Sequence, residues 1–257
     1  MKVMFCGAHP DDAEIYMFGT LLAYRKAGHD VGLVMACSGN GGTSARSAHQ
    51  PLTVTRREEA EKGAAVLGAR LTALDFPDMS LGENRMRLAA RLQHLFSQEQ
   101  PDIVFTHSPT DYHADHRVLS AVVTLAAAES RPVVYTDTLK GADFQPSHFV
   151  DIADHLDQKL KAIHLHHSQK PRRYMLAART LAEQRGQEAT GRADARMEAF
   201  RFDARTGQRD ISRLLPGKAI SGRIVTMIGL GGQQHASTTL RIAPGATPNM
   251  VRPRPEG

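Results

Sequence analysis

Two short stretches rich in histidine and aspartate contain the residue types in this chain that are best suited to chemistry. The stretch 8–12 reads AHPDD and directly follows the apolar segment 2–7, whereas 113–116 reads HADH and comes shortly after the apolar segment 103–106. Because the carboxyl ends of parallel strands form one ligand crevice, both stretches are expected at the same sheet edge. Nitrogen and oxygen donors without sulfur are typical of catalytic zinc, which keeps one coordination position open for water. The sequence therefore predicts a zinc site.

The elements that would position these stretches alternate between strands and helices. Segment 2–7 is apolar throughout, as expected of a buried strand, and Pro10 prevents a helical conformation at His9. Asp11 or Asp12 can cap the helix that follows. The alternation predicts an α/β fold, Rossmann-like and three-layered (α/β/α), with a mostly parallel sheet. The predicted strands span 2–7, 31–37, 70–75, 102–106, 133–136 and 149–152, and the predicted helices span 13–27, 53–67, 84–98, 114–128, 154–166 and 172–185.

Composition and charge exclude several classes of protein. The chain has 257 residues, of which 41% are hydrophobic, enough for one α/β domain with a buried core. No apolar segment approaches the ~20 residues of a membrane span, and the N-terminus lacks a signal-peptide pattern. Cys6 and Cys37 fall in predicted strands as reduced core residues, so we expect a cytoplasmic protein. The net charge of +5 is spread without a basic block, so nucleic-acid binding is not expected, while a homo-oligomer is left open.

The two motifs, in this order, resemble those of the PIG-L/LmbE-like family of zinc-dependent N-acetyl-sugar deacetylases. That family carries AHPDD near its N-terminus and an HPDH-type motif later, and here Ala114 replaces the usual proline. The resemblance covers residues 1–215 and implies a deacetylase domain there. Segment 216–257 is an extension of unknown role, and its end is predicted to be disordered. Shorter matches are R-x-x-E…LG at Arg56, Glu59 and 67–68, FPD at 76–78, H-x-S-Q at 166–169 and EAF at 198–200.

The resemblance also implies roles for residues of both motifs. It implies three ligands for Zn²⁺, namely His9, Asp12 and His116. Asp11 is then the candidate general base that takes a proton from the attacking water, with a simple helix cap as the alternative. His113 is interpreted as an imidazolium that stabilises the oxyanion of the attacked amide, as the group that protonates the leaving amine, or as a fourth ligand. Asp115 is expected to hydrogen-bond the far nitrogen of a ligating histidine, or else to be a solvated acid at a helix start.

Four further residues are candidates for substrate binding: Arg56, Asp78, Asn40 and His166. Arg56 matches the family's arginine, although it lies three residues before Glu59 and the two can form a simple helical ion pair. Asp78 follows Pro77 in a turn, where a carboxylate suits sugar hydroxyls. Asn40 lies in the Gly/Ser-rich loop 38–46, which is either a flexible connection or a rim for a polar substrate. His166 resembles a residue of the family's site wall, but a lone helix histidine is usually structural.

These features predict an enzyme that removes an N-acetyl group, or another small N-acyl group, from an amino sugar or its conjugate. The partner is therefore a small N-acyl amino sugar, and the products are a free amine and acetate. One alternative is an amidase that cleaves a larger amide in a thiol–sugar conjugate, as some family members do. Another is a non-catalytic sugar- or nucleotide-binding protein on the same fold, against which Asp11 argues because binding alone requires no base.

Overall fold

A central sheet organises the protein in the computed structural model, which describes residues 1–42, 50–127, 131–140, 143–202, 211–217 and 219–221. The strands are β1 (Lys2–Gly7), β2 (Asp30–Cys37), β3 (Arg70–Phe76), β4 (Ile103–Thr106), β5 (Val133–Thr136), β6 (His148–Asp151), β7 (Met197–Phe202) and β8 (Ala219–Ser221). Across the described residues they form one eight-stranded sheet in the order β3-β2-β1-β4-β5-β7-β6-β8. The first five strands are parallel, whereas β7 pairs antiparallel with β5 and β6, and β8 pairs antiparallel with β6. The predicted mostly parallel α/β fold is confirmed.

Helices cover both faces of this sheet. They are α1 (Asp12–Tyr16), α2 (Phe18–Lys26), α3 (Leu52–Leu67), α4 (Arg85–Glu99), α5 (Ala114–Ala127), α6 (Leu156–His164) and α7 (Pro171–Thr190). Successive side chains of β1 point to opposite faces, so Val3 and Phe5 belong to one hydrophobic core while Met4 and Cys6 belong to the other. Helices α4 and α5 close the second core, and the remaining helices pack over the first.

One predicted helix is interrupted where a residue far along the chain contacts it. The helix predicted over 13–27 breaks at Met17, where φ is −147° and ψ is 20°. The first backbone N–H groups of α2, on Gly19 and Thr20, donate to the carboxylate of Glu198 at 3.1 and 2.8 Å. Lys159 donates to the same carboxylate at 2.6 Å, which balances its charge in a buried position. Strand β7, which carries Glu198, was not predicted.

The other predicted boundaries shift by small amounts, mainly near the later helices. The helix predicted over 154–166 begins as a short 3₁₀ turn at Ala153–His155 and ends at His164, and α7 runs five residues past the predicted 185. Cys6 and Cys37 are free and buried, as expected. Among the described helices, none combines the length and apolar character that crossing a membrane requires. The disorder predicted for the final RPRPEG, residues 252–257, lies outside the described residues.

Candidate metal centre and active site

The two motifs meet at the carboxyl edge of the sheet, where β1 and β4 are neighbours. Cys6 pairs with Thr106 in this parallel ladder, so the segments that follow both strands leave the sheet side by side. The turn after β1 is tight. A Cβ at Gly7 would lie 2.8 Å from the Phe5 ring and 3.0 Å from the Asp12 Cβ, so only glycine fits there. This close approach brings Asp12 back over the strand end.

The three predicted metal ligands converge in the structure. His9 Nδ1 lies 3.1 Å from His116 Nε2 and 3.7 Å from Asp12 Oδ2, and His116 Nε2 lies 3.5 Å from Asp12 Oδ1. Ligands bound tetrahedrally to zinc at ~2.0–2.1 Å are separated by ~3.3 Å. The spacing and the two-nitrogen, one-carboxylate chemistry therefore fit one such ion.

Two neighbouring histidines lie within ligand distance of the predicted donors. His113 groups with His9 and His116, and His107 groups with Asp12 and His116, with ligand atoms in each group within 4.8 Å of one another. The fourth-ligand interpretation of His113 therefore stays open on distance alone. His107 Nε2 also lies 3.0 Å from the backbone nitrogen of Ala8, which donates to it.

Contacts with histidines keep the central carboxylate ionised. Burial would raise the pKa of Asp12, but His116 and His107 outweigh it and hold that pKa well below its usual range. Burial, reinforced by His116, lowers the pKa of His107 to about 4, so this ring is neutral at pH 7. Burial would likewise lower the pKa of His9, but the contacts with Asp115 and Asp12 raise it overall. The site is therefore arranged around an anionic Asp12.

Asp115 lies where it can orient His9. Its Oδ2 is 3.3 Å from His9 Nε2, the ring nitrogen opposite the one that faces His116. The same carboxylate accepts backbone hydrogen bonds from Met79 at 2.6 Å and Leu81 at 3.4 Å. Asp115 is 1% exposed, so it is not a solvated acid at a helix start.

Asp11 stands beside the donor set and is held by an arginine. It occupies the N-cap position of α1, yet its side chain makes no capping hydrogen bond. Instead Asp11 Oδ1 accepts a hydrogen bond from Arg56 Nη2 at 3.0 Å. Both side chains are almost fully buried. The carboxylate is therefore directed toward the site rather than toward its own helix.

His113 has a defined tautomer in the neutral form. Its Nδ1 accepts a hydrogen bond from the backbone N–H of Asp115 at 3.2 Å, which leaves the proton of a neutral ring on Nε2. Burial, together with His9 and His116, lowers the pKa of His113. The neutral ring is thus favoured over the imidazolium that we expected, and it still offers one N–H donor.

A cavity of about 210 Å³ opens above these side chains. Its lining includes His9, Asp11, Asp12, His113 and His116, with Tyr16, Tyr112, Tyr174 and Gln169 among the other walls. Arg56 and Asp78 also line it, whereas Asn40 and His166 do not. Seven of the ten predicted site residues therefore line one cavity, and Asp115 and Asn40 adjoin it through His9 and Asp78.

Arg56, Asp78 and Asn40 form one connected network at the rim. Arg56 Nη1 donates to the Gly39 carbonyl at 3.1 Å and lies 3.8 Å from Asp78 Oδ2. The Asp78 carboxylate accepts from the backbone N–H groups of Gly39 and Gly41 at 2.8 and 2.9 Å. Asn40 Oδ1 accepts from the backbone N–H of Asp78 at 2.7 Å. Arg56 is therefore partnered across the site, not by a neighbour on its own helix.

His166 lies in a buried cluster away from the cavity wall. Its Nε2 is 3.3 Å from Glu14 Oε2, and its Nδ1 is 4.0 Å from Glu59 Oε2. Glu59 also accepts hydrogen bonds from Ser168 N and Oγ at 2.8 and 2.6 Å. Burial would lower the pKa of His166, but Glu14 outweighs it and raises that pKa. The cluster ties α1 and α3 to the turn that carries Gln169.

Two residues that contact the donor set, His107 and Asp111, were not predicted from the sequence. His107 stacks on His116 with ring centroids 3.7 Å apart and an interplanar angle of 7°. Asp111 Oδ1 lies 3.2 Å from His116 Nδ1. Burial raises the pKa of Asp111, but the contact with His116 outweighs it and lowers that pKa. Their position in the sequence could have indicated them, because both residues follow β4 at the same sheet edge as the HADH motif.

The sequence matches one family model and a deacetylase of known activity. A family model described as PIG-L: GlcNAc-PI de-N-acetylase matches residues 4–127. The chain is 30% identical over 190 residues to the diacetylchitobiose deacetylase of Thermococcus kodakarensis. This alignment covers 66% of this chain and 70% of that protein.

Two solved structures extend this comparison to the fold. The N,N'-diacetylchitobiose deacetylase from Pyrococcus horikoshii, complexed with its inhibitor MPG, matches with a TM-score of 0.69 and 27% identity over 79% of this chain and 84% of that chain. The hydratase GalB from Pseudomonas putida KT2440 matches with a TM-score of 0.69 and 23% identity over 78% of this chain and 95% of that chain. The second match shows a shared fold alone, because one fold hosts different chemistries.

Proposed function

The chain belongs to the PIG-L family, and from that premise we propose that it is a zinc-dependent N-deacetylase of an amino sugar or glycoconjugate. The observation that carries the proposal is the position of Asp11. Its carboxylate lies beside the His9, Asp12 and His116 donor set and lines the same cavity. A binding protein needs no such second carboxylate, whereas hydrolysis of an amide needs a base for water.

The proposed mechanism divides the work among few side chains. His9, Asp12 and His116 would hold a zinc ion, which would supply a Lewis acid for the amide carbonyl and for the attacking water. Asp11 takes the proton from the attacking water, and that proton is the one the leaving nitrogen requires. His113 Nε2–H donates to the oxyanion that forms on the carbonyl. The products are acetate and a free amine.

The cavity limits how much of a substrate is enclosed. Pockets for drug-sized ligands have volumes of ~300–1,000 Å³, so about 210 Å³ suits one sugar ring with its acyl group. Asp78 at the rim offers a carboxylate for hydroxyl groups, and Tyr112 and Tyr174 offer flat apolar faces. We propose that the remainder of a conjugate extends into solvent.

The cellular setting is proposed from the cysteines. Cys6 and Cys37 are both buried and unbonded, which agrees with a reducing compartment, so we propose that the enzyme works in the cytoplasm. The partner is a small-molecule substrate.

A substrate screen tests the proposal. The purified protein, reconstituted with zinc or with iron, is incubated with N-acetylglucosamine, N,N'-diacetylchitobiose and other N-acetylated amino sugars. We expect free amine and acetate in equal amounts, no release by the chelated protein, and release slower by ~10²-fold or more by Asp11→Asn. Release of a larger acid from a thiol–sugar conjugate, without acetate release from any N-acetyl sugar, would instead identify an amidase. Tight sugar binding with no hydrolysis under any metal would refute catalysis.

A further inference from the structure

The side chain of Asp111 contacts His116 at the ring nitrogen opposite the one that faces the donor set, and it does not line the cavity. It is buried, and its Oδ1 lies 3.2 Å from His116 Nδ1. The same oxygen accepts a hydrogen bond from the backbone N–H of His113 at 2.8 Å. One carboxylate oxygen therefore contacts both histidines of the second motif.

The orientation of the His116 ring decides whether it can bind a metal. A half-turn of the ring exchanges Nε2 for a carbon, which cannot be a ligand. In the structure Nε2 faces His9 Nδ1 at 3.1 Å and Asp12 Oδ1 at 3.5 Å. The stacked ring of His107 holds the plane of His116 but does not distinguish its two flipped positions. A polar group at Nδ1 makes that distinction from the side opposite the donor set.

We propose that Asp111 is a positioning residue that selects the orientation and the tautomer of His116. A carboxylate at Nδ1 favours the proton on that nitrogen, and the lone pair of a neutral ring then lies on Nε2, toward the donor set. Asp111 thus does for His116 what the contact of Asp115 does for His9. The inference rests on the proposed function, because it assumes that His116 is a ligand.

Hydrogen bonds to its backbone hold Asp111 in place. Its N–H donates to the Ser108 carbonyl at 3.1 Å, and its own carbonyl accepts from Arg117 Nη1 at 2.8 Å. The loop between β4 and α5 is therefore anchored at both ends of this residue. The side chain has little freedom to leave His116.

Zinc affinity tests the role without relying on catalysis. Competition with a chromophoric chelator gives the affinity of wild type, Asp111→Leu and Asp111→Asn, with the exposed Asp154→Asn as the matched control. Loss of a carboxylate behind a metal-binding histidine lowers affinity by ~10–100-fold, so we expect that loss in Asp111→Leu and a smaller one in Asp111→Asn. The control should match wild type.

Nitrogen NMR separates positioning from a general structural effect. In metal-free protein labelled with ¹⁵N-histidine, the His116 signals are assigned by their loss in His116→Gln. We expect the Nδ1-protonated ring in wild type and a clear shift toward the Nε2-protonated ring in Asp111→Leu. The shift in Asp111→Asn should be smaller, because its amide oxygen still accepts at Nδ1 but more weakly than a carboxylate. If Asp111→Leu fails to fold by circular dichroism, Asp111→Asn decides, because its amide oxygen still accepts from the His113 N–H.

The outcomes distinguish this inference from the proposed metal centre. Wild-type protein that binds no zinc would overturn the centre, and the inference with it. Zinc binding by wild type with unchanged affinity and unchanged His116 tautomer in the Asp111 variants would overturn the inference alone.

Discussion

Arg56 provides the sharpest test of how the site is built. Its side chain is 4% exposed, and it contacts Asp11 at 3.0 Å and the Gly39 carbonyl at 3.1 Å. Replacing it by methionine keeps much of the packing volume but removes the charge. Asp11 and Asp78 would then be buried without their shared cation. Removing one partner of a buried ion pair costs about 3–5 kcal/mol.

That free energy converts into a measurable melting shift. In a protein of this size, 1 kcal/mol lowers Tm by ~2–4 °C, so Arg56→Met should melt ~6–20 °C lower than wild type. Arg57 is the matched control, since it lies next in the same helix and pairs with Asp75 through side chains that are 41% and 53% exposed. An exposed pair contributes ~0–1 kcal/mol, so Arg57→Met should lower Tm by no more than ~4 °C.

Differential scanning calorimetry in the presence of a chelator measures both shifts without compensation by a bound metal. Arg56→Lys should fall between wild type and Arg56→Met, because an ammonium keeps the charge but cannot span Asp11 and Gly39 as a guanidinium does. Equal Tm values for Arg56→Met and Arg57→Met would refute the reasoning. Arg56 would then act on substrate without holding Asp11.

Three further predictions concern the reaction itself. Asp12→Ala or His116→Ala should lose most bound metal while remaining folded; near-stoichiometric metal by elemental analysis in both variants would contradict the ligand assignment. Asp11→Asn should retain zinc and lose ~10²-fold or more in kcat, and a near-normal kcat would exclude it as the base. His113→Ala should bind zinc almost normally with kcat lower by ~10²–10³-fold and little change in KM, whereas zinc loss that parallels the rate loss would make it a ligand.

The local pattern of the chain was sufficient for most of the parallel half of the fold. Apolar strands followed by amphipathic helices repeat at short spacing, and such units form parallel sheets by right-handed crossovers. The positions of AHPDD and HADH directly after strands then placed both at one edge. The two motifs converge, with His9 Nδ1 3.1 Å from His116 Nε2, because β1 and β4 are neighbours in the sheet. The sequence pattern does not give that order of strands.

Features that depend on distant partners were decided only by the tertiary structure. The break at Met17 coincides with capping by Glu198, whose carboxylate meets the Thr20 N–H from 178 residues away. The lowered pKa of His113 depends on burial and on the ring of His9, which comes from the other motif, and local sequence shows neither. Periodicity reports which residues face a core, because burial repeats with the geometry of helix and strand. Periodicity does not indicate which polar groups a folded chain brings to within 3 Å of one another. Those distances determine the chemistry of this site.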